Sequence, residues 1–237
     1  VDLLGGPATP AAMSASSAPK SSDIPTVFTA VSDPVSAGLV QSIEQPGSNC
    51  TGTSDVLPLE KQVKMIRAFL PDATKIGVIY TTSEPNSVSH LEKLQGIAAD
   101  NGFEVIAVGV TNSSEVASAA ASVVAQGADC INNFTDNNVV DNLSAVIKAA
   151  NDGGIPVFGS EIEQVKNGCL ASESIDYVAL GEQTGRMAAR ILSGEDASTM
   201  PVEEVEDATP VYNSEVLEAL GLTLPADYQD AQDVSAA

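Results

Sequence analysis

Positively charged residues are scarce in this sequence. Ten Lys and Arg face 32 Asp and Glu, which leaves a formal net charge of −22 at pH 7, and no Lys or Arg follows Arg190. A nucleic-acid-binding protein needs a basic face to neutralise phosphates, and an anionic membrane surface repels a chain of this charge. The composition therefore argues against both as partners, and we interpret the charge as a means of solubility.

Aromatic residues and long apolar runs are also few. The chain has no Trp and 4% aromatic residues, although 43% of its residues are hydrophobic, so we expect small side chains such as Ala and Val to fill the core. No apolar run approaches the length of a transmembrane helix, and no signal peptide is visible. Because the chain does not begin with Met and residues 1–4 already look like a strand, we expect any signal or lipid-attachment segment to lie upstream of Val1.

Residues suited to metal binding or nucleophilic catalysis are rare. Cys50, Cys130 and Cys169 are far apart and form no Cys-x-x-Cys pair, so we expect no metal, no cofactor and three buried free thiols. The single histidine, His90, falls inside a predicted helix, where we expect it at the surface. Neither a phosphate-binding loop nor a nucleophile elbow occurs. The sequence therefore predicts a protein that is not an enzyme.

What the sequence does contain is a regular alternation of strand and helix signals. The apolar run at 75–80 is typical of a strand buried on both faces of a parallel sheet, and the segment 59–70 is an amphipathic helix. Further helices are predicted at 35–43 and, without a break, at 139–150. Repeated strand–helix units predict an α/β fold with doubly wound parallel sheets. Residues after about 225 are acidic and Ala-rich, and we expect them to be mobile.

Small polar and acidic residues follow most of the predicted strands. Doubly wound sheets bind ligands beyond the carboxyl ends of their strands, where helix starts offer backbone N–H groups to an anion. The same residue types also cap helices, so a structural role stays open for each. The candidate ligand-binding residues are Thr9, Ser32, Asp33, Ser83, Glu84, Asn86, Ser87, Thr135, Asp136, Asn137, Ser160, Glu161 and Asp176.

Carboxylates and helix starts in the same loops suit a zwitterion such as an α-amino acid. We expect the ligand carboxylate on the backbone N–H groups and hydroxyls of residues 83–87. The ammonium group is expected on one of three acids: Asp33, Asp136 or Glu161. Asp33 precedes Pro34, which holds its backbone extended, although a simple turn explains that pair equally well.

Several segments resemble a family of bacterial ABC-transporter substrate-binding proteins that includes the tryptophan/tyrosine-type binding lipoproteins. The resemblance covers nearly the whole chain. It rests on the combination of VSDPV at 31–35, GVIY at 77–80 with SEPNS at 83–87, TDN at 135–137, and the ID-Y-x-LG-x-QTG pattern from 175.

The resemblance implies a type I periplasmic-binding-protein-like fold with two Rossmann-like lobes, a three-stranded hinge and a ligand cleft between the lobes. It implies an extracytoplasmic monomer, periplasmic or lipid-anchored, that binds an aromatic or hydrophobic amino acid. It also implies delivery to the membrane permease and ATPase of an importer. The family's ligand-facing loops match the thirteen candidate residues.

Two features depart from the family pattern. Members carry a first β-α-β unit before the position of Val1, and this sequence lacks it. The residues Cys-Ile-Asn-Asn-Phe at 130–134 stand where relatives more often have Tyr and Pro, which bears on the pocket for the ligand side chain.

The predicted organisation has two discontinuous lobes and a tail. Lobe one is predicted at 1–54 and 173–194, lobe two at 55–172 and 195–225, and a mobile acidic tail at 226–237.

Two other functions share this fold class: the ligand-sensing domain of a transcriptional regulator, which the charge disfavours, and a small α/β enzyme such as an isomerase.

Overall fold

The computed structural model describes residues 1–18, 23–204 and 208–235. Two compact units share the chain, and each is discontinuous. Unit 1 comprises Val1–Leu57, Glu84–Asn86 and Asp176–Asp207, and unit 2 comprises Pro58–Ser83, Ser87–Ile175 and Ala208–Ala237.

Strands and helices alternate along the described residues, which confirms the α/β fold class. Short 3-10 turns lie at Ser113–Glu115 and Ala226–Tyr228. In chain order the elements are β1 (Leu4–Pro7), α1 (Ala8–Ser17), β2 (Thr26–Thr29), β3 (Cys50–Ser54), α2 (Leu59–Phe69), β4 (Lys75–Thr81), α3 (Pro85–Asp100), β5 (Glu104–Val110), α4 (Val116–Ala125), β6 (Cys130–Asn132), α5 (Asn137–Asp141), α6 (Leu143–Gly153), β7 (Val157–Phe158), α7 (Ile162–Lys166), β8 (Ala171–Ile175), α8 (Tyr177–Leu192), β9 (Glu203–Glu204), β10 (Ala208–Tyr212), α9 (Ser214–Ala219) and β11 (Gln232–Asp233).

Unit 1 contains a parallel sheet in the order β1-β2-β3-β9. Successive residues of β2 point to opposite faces, and each face is covered. Phe28 packs in a cluster with Ala12 of α1, whereas Val27 packs in another with Met187 and Ile191 of α8. Apolar clusters on both faces are what a doubly wound sheet requires.

Unit 2 contains a second parallel sheet and a small third one. The parallel sheet has the order β5-β4-β6-β7, and its core joins Ile79 and Ile131 to Val123 of α4 and Val146 of α6. The third sheet has the order β11-β10-β8, with β10 antiparallel to β8. Among the described residues, no helix is both long and apolar enough to cross a membrane.

Two helices predicted from the sequence differ in the structure. The segment 35–43 forms turns rather than a helix, because Gly38 has a left-handed φ of 70° that stops the first helical turn. The helix predicted at 139–150 is divided into α5 and α6 at Asn142, whose φ is −117° and ψ is 22°. Asn142 Nδ2 donates to the carbonyl oxygen of Asn138 at 2.8 Å, which holds the break.

The described residues from 195 onward also pack differently from the predicted division. Residues 195–204, expected in lobe two, belong to unit 1, because buried Ala197 and Met200 pack with Val27. Residues 226–235, expected to be a mobile tail, contain β11, which pairs in parallel with β10. Val234 is 2% exposed and belongs to the core of unit 2. This segment is therefore part of the folded unit.

Candidate functional site

The carboxyl ends of β1, β2 and β3 meet at one edge of the unit 1 sheet, because the three strands are adjacent and parallel. Thr9, buried in the first turn of α1, follows β1. Ser32 and Asp33 follow β2; Ser32 is buried and Asp33 is half-buried. The Asp33 carboxylate accepts a hydrogen bond from the backbone N–H of Ser36 at 2.9 Å. The structure therefore places these three predicted residues at a common edge.

Asp55, which the sequence analysis missed, follows β3 at the same edge. It is 3% exposed. Its carboxylate accepts hydrogen bonds from the Ser32 hydroxyl at 2.8 Å and from the Tyr177 hydroxyl at 2.7 Å. Burial raises the pKa of the Asp55 carboxyl, against the lowering effect of these two hydrogen bonds. An acid directly after a strand was the signal in the sequence that could have identified Asp55.

The backbone is unusual where the first two strands of unit 1 end. Ala8, directly after β1, has a φ of 60°, and Ala30, directly after β2, has a φ of 56°. A left-handed conformation costs an L-residue with a Cβ about 1–2 kcal/mol. Such residues concentrate at functional sites, where the surrounding structure enforces them, and both of these lie at the edge that carries Ser32 and Asp55.

Three other predicted residues belong to unit 1. The Asn86 amide donates to the Glu84 carboxylate at 3.4 Å, and both side chains are buried. Asp176 is exposed and caps α8, because its carboxylate accepts from the backbone N–H groups of Val178 and Ala179 at 2.9 and 3.0 Å. Capping accounts for the position of Asp176 without a ligand.

In unit 2, the carboxylate of Asp136 organises the edge formed by β4 and β6. It accepts from the backbone N–H of Thr81 at 2.6 Å and from the Thr81 hydroxyl at 2.7 Å. It also accepts from the Ser87 hydroxyl at 2.6 Å and the Val139 N–H at 3.1 Å. A carboxylate has about four lone-pair positions, so these four donors fill the acceptor positions of the Asp136 carboxylate. The Ser87 hydroxyl donates its only proton to this carboxylate.

The ends of β6 and β7 are joined by a buried amide. Gln164 of α7 accepts from the Asn133 side chain at 2.9 Å and donates to the carbonyl oxygen of Phe134 at 3.2 Å. Ser160 adds a bond from its hydroxyl to the carbonyl oxygen of Asn133. This network fixes the segment 130–134, which departs from the family pattern.

Glu161 caps α7 in unit 2. It accepts from the backbone N–H groups of Glu163 and Gln164, each at 2.7 Å, and burial raises the pKa of its carboxyl. Of the remaining predicted residues of this unit, Thr135 is half-buried, and Ser83 and Asn137 are exposed.

The residues considered for metal or thiol chemistry are buried. His90 is 2% exposed and its ring lies 5.4 Å from that of Phe134, so the expectation of a surface position was wrong. Cys50, Cys130 and Cys169 are free and buried, as predicted, and burial raises the pKa of Cys50 to about 12. Within residues 1–18, 23–204 and 208–235, no group of three or more His, Cys, Asp or Glu side chains is arranged to hold a metal ion.

Comparison with known proteins identifies close relatives. The family model described as "ABC transporter substrate binding protein" matches residues 1–232. A tyrosine-binding protein of Clostridioides difficile is 41% identical over 93% of this chain, which spans 63% of that protein's length.

Two solved structures are similar along almost the whole chain. One is an ABC domain from Streptococcus pneumoniae in complex with L-Trp, with a TM-score of 0.94, 32% identity, and coverage of 98% of this chain and 79% of the other. The second, a conserved domain protein from Vibrio cholerae, has a TM-score of 0.93, 38% identity, and coverage of 98% and 77%.

Proposed function

Because the chain belongs to the family of ABC transporter substrate-binding proteins, we propose that it binds an amino acid for import and catalyses no reaction. The observation that carries this proposal is the carboxyl edge of the unit 1 sheet. There the first turn of α1, with backbone N–H groups that suit a carboxylate, shares one edge with the carboxylates that suit an ammonium group.

The proposed ligand is an aromatic amino acid. A relative with 41% identity is named for tyrosine, and a structure with 32% identity holds L-Trp. Both ligands combine the same zwitterionic head with a large aromatic side chain. The head group is what the polar loops of this chain suit best.

We propose roles for the predicted residues that follow from their hydrogen bonds. Asp33 and Glu161 accept from backbone N–H groups and remain candidates to accept from the ligand as well. Asp136 acts by positioning Thr81 and Ser87, since its lone pairs are occupied. For a ligand carboxylate near residues 83–87, the proposed donors are backbone N–H groups and the Ser83 hydroxyl, because the Ser87 hydroxyl donates to Asp136.

The proposed place of action is outside the cytoplasm. A substrate-binding protein of an importer presents its solute to a membrane permease that an ATPase drives, and we propose these two partners for a monomeric protein. A lipid anchor upstream of Val1 is part of the same proposal.

A thermal-unfolding screen tests the amino-acid assignment. A ligand that binds only the folded state raises the melting temperature, by an amount that grows with its concentration above Kd. We expect L-tyrosine or L-tryptophan to raise it, and D-glucose and L-glutamate, as controls, to leave it unchanged. A rise with a control solute and none with any aromatic amino acid would reject the proposal.

A further inference from the structure

Asp55 is a buried acid without a positive partner. Its contacts are the Ser32 hydroxyl, the Tyr177 hydroxyl and its own backbone N–H. No Lys, Arg or His side chain among the described residues forms an ion pair with it. A buried carboxylate is costly unless it is paired, so its retention at this place calls for an explanation.

Two other buried acids are compensated where Asp55 is not. Asp136 has four hydrogen-bond donors, of which two are backbone N–H groups. Glu173 is 6% exposed; burial raises its pKa, and the positive charge of Lys61 and a hydrogen bond from Tyr228 lower it. The donors to Asp55 are the two neutral hydroxyls and its own N–H, so its charge lacks the compensation that Asp136 and Glu173 have.

The two hydroxyls fix the direction of the Asp55 carboxylate. Ser32 donates to Oδ1 and Tyr177 donates to Oδ2. Each carboxylate oxygen has about two lone-pair positions, so each keeps a position for another donor. The donors come from different segments, the loop after β2 and the first residue of α8, so each carboxylate oxygen is held by a different part of unit 1.

We infer that Asp55 is the acceptor in unit 1 for the ammonium group of the amino-acid ligand, and that Ser32 and Tyr177 are positioning residues for its carboxylate. The inference rests on the proposed function and gives the ammonium to a residue outside the predicted set. The bound ammonium supplies the positive charge that the described residues do not provide.

The test compares ligands with and without an ammonium group. Calorimetry would measure L-tyrosine and L-tryptophan against 3-(4-hydroxyphenyl)propanoate and 3-indolepropanoate, which lack only the amine; weak binders would be measured by competition. The proteins are the unaltered chain, Asp55→Asn, Tyr177→Phe, Asp33→Asn and the control Asp196→Asn. Asp196 is an exposed acid of unit 1 that bonds to Ser198, so the control makes the same change in charge.

We expect Asp55→Asn to reduce the preference for an amino acid over its analogue at least about thirtyfold, as loss of the partner of a desolvated ammonium requires. Tyr177→Phe should reduce the same preference by a smaller factor, since the carboxylate remains. Asp196→Asn should leave it unchanged. Melting temperatures of all variants would show that each is folded.

Three outcomes separate the inference from the proposed function. If the unaltered chain binds no amino acid, both are rejected. If it binds amino acids and Asp55→Asn weakens both ligand classes equally, the function stands and Asp55 has only a structural role. If Asp33→Asn removes the preference and Asp55→Asn does not, the ammonium belongs to Asp33 and the inference is overturned.

Discussion

The hydroxyl of Ser87 donates to the carboxylate of Asp136 at 2.6 Å, and both side chains are wholly buried. This bond joins the start of α3 to the residue that caps α5. Two residues predicted as separate ligand contacts are therefore partners of each other. The hydrogen bond between them stabilises the loops at this edge of unit 2.

Asp136→Asn should lower the free energy of unfolding by about 2–4 kcal/mol, because an amide nitrogen would face donors and leave buried groups unpaired. Urea denaturation measures the change. Asp141→Asn is the control, since Asp141 is an exposed acid of α5. Equal stabilities for the two variants would contradict the structural role of Asp136.

The pH dependence of stability should carry a contribution from Asp55. Burial raises the pKa of its carboxyl in the folded protein, so its favourable contribution is complete below the unfolded pKa of about 3.9. That contribution is lost as the pH rises through the folded pKa. The stability of the unaltered chain relative to Asp55→Asn should therefore fall as the pH rises above about 4. Denaturation at a series of pH values checks this, and a constant difference would refute it.

Gly52→Ala should destabilise unit 1. A Cβ at Gly52 of β3 would collide with the carbonyl oxygen of Phe28 in β2, and overpacking of this kind costs about 1–3 kcal/mol. Gly96→Ala is the matched control: its Cβ would meet nothing within 4 Å, and alanine favours a helix interior such as that of α3 by about 0.5–1 kcal/mol. The two substitutions should change the unfolding midpoint in opposite directions, and a shift of the same sign would count against the close strand contact.

Added salt should stabilise the protein. A net charge of −22 produces repulsion within the folded state, and salt reduces its range from about 30 Å at 0.01 M to about 3 Å at 1 M. We expect the melting temperature to rise between these concentrations of sodium chloride. The same series at pH 4, where many carboxylates are protonated, should give a smaller rise. An equal rise at both values would attribute the effect to something other than charge.

The sequence was sufficient for features that depend on local periodicity. The apolar run of β4 and the amphipathic pattern of α2 gave both elements within one residue of their observed ends. The same reasoning failed for residues 35–43, because a left-handed Gly38 and a hydrogen bond from Ser36 to Asp33 favour turns over a helix.

The partners of buried polar residues could not be predicted. Asp55 accepts a hydrogen bond from Tyr177, which is 122 positions away in the sequence. The ring of His90 packs against that of Phe134. Neither contact leaves a local pattern, since each depends on how separate elements pack. The sequence therefore located the carboxyl edges but not the division of their residues between structural bonds and ligand.

The division of both units along the chain has a consequence for folding while the chain emerges, N-terminal end first, from a ribosome or a translocation channel. Unit 1 begins with β1 but needs α8 and β9, and unit 2 needs β10 and β11 after those. Domains generally fold as they emerge, the N-terminal one first, but here β1–β3 must wait for more than a hundred further residues before their sheet is covered. Until then Val27 of β2 lacks Met187 and Ile191, so the nascent chain exposes an apolar sheet face that a chaperone could recognise.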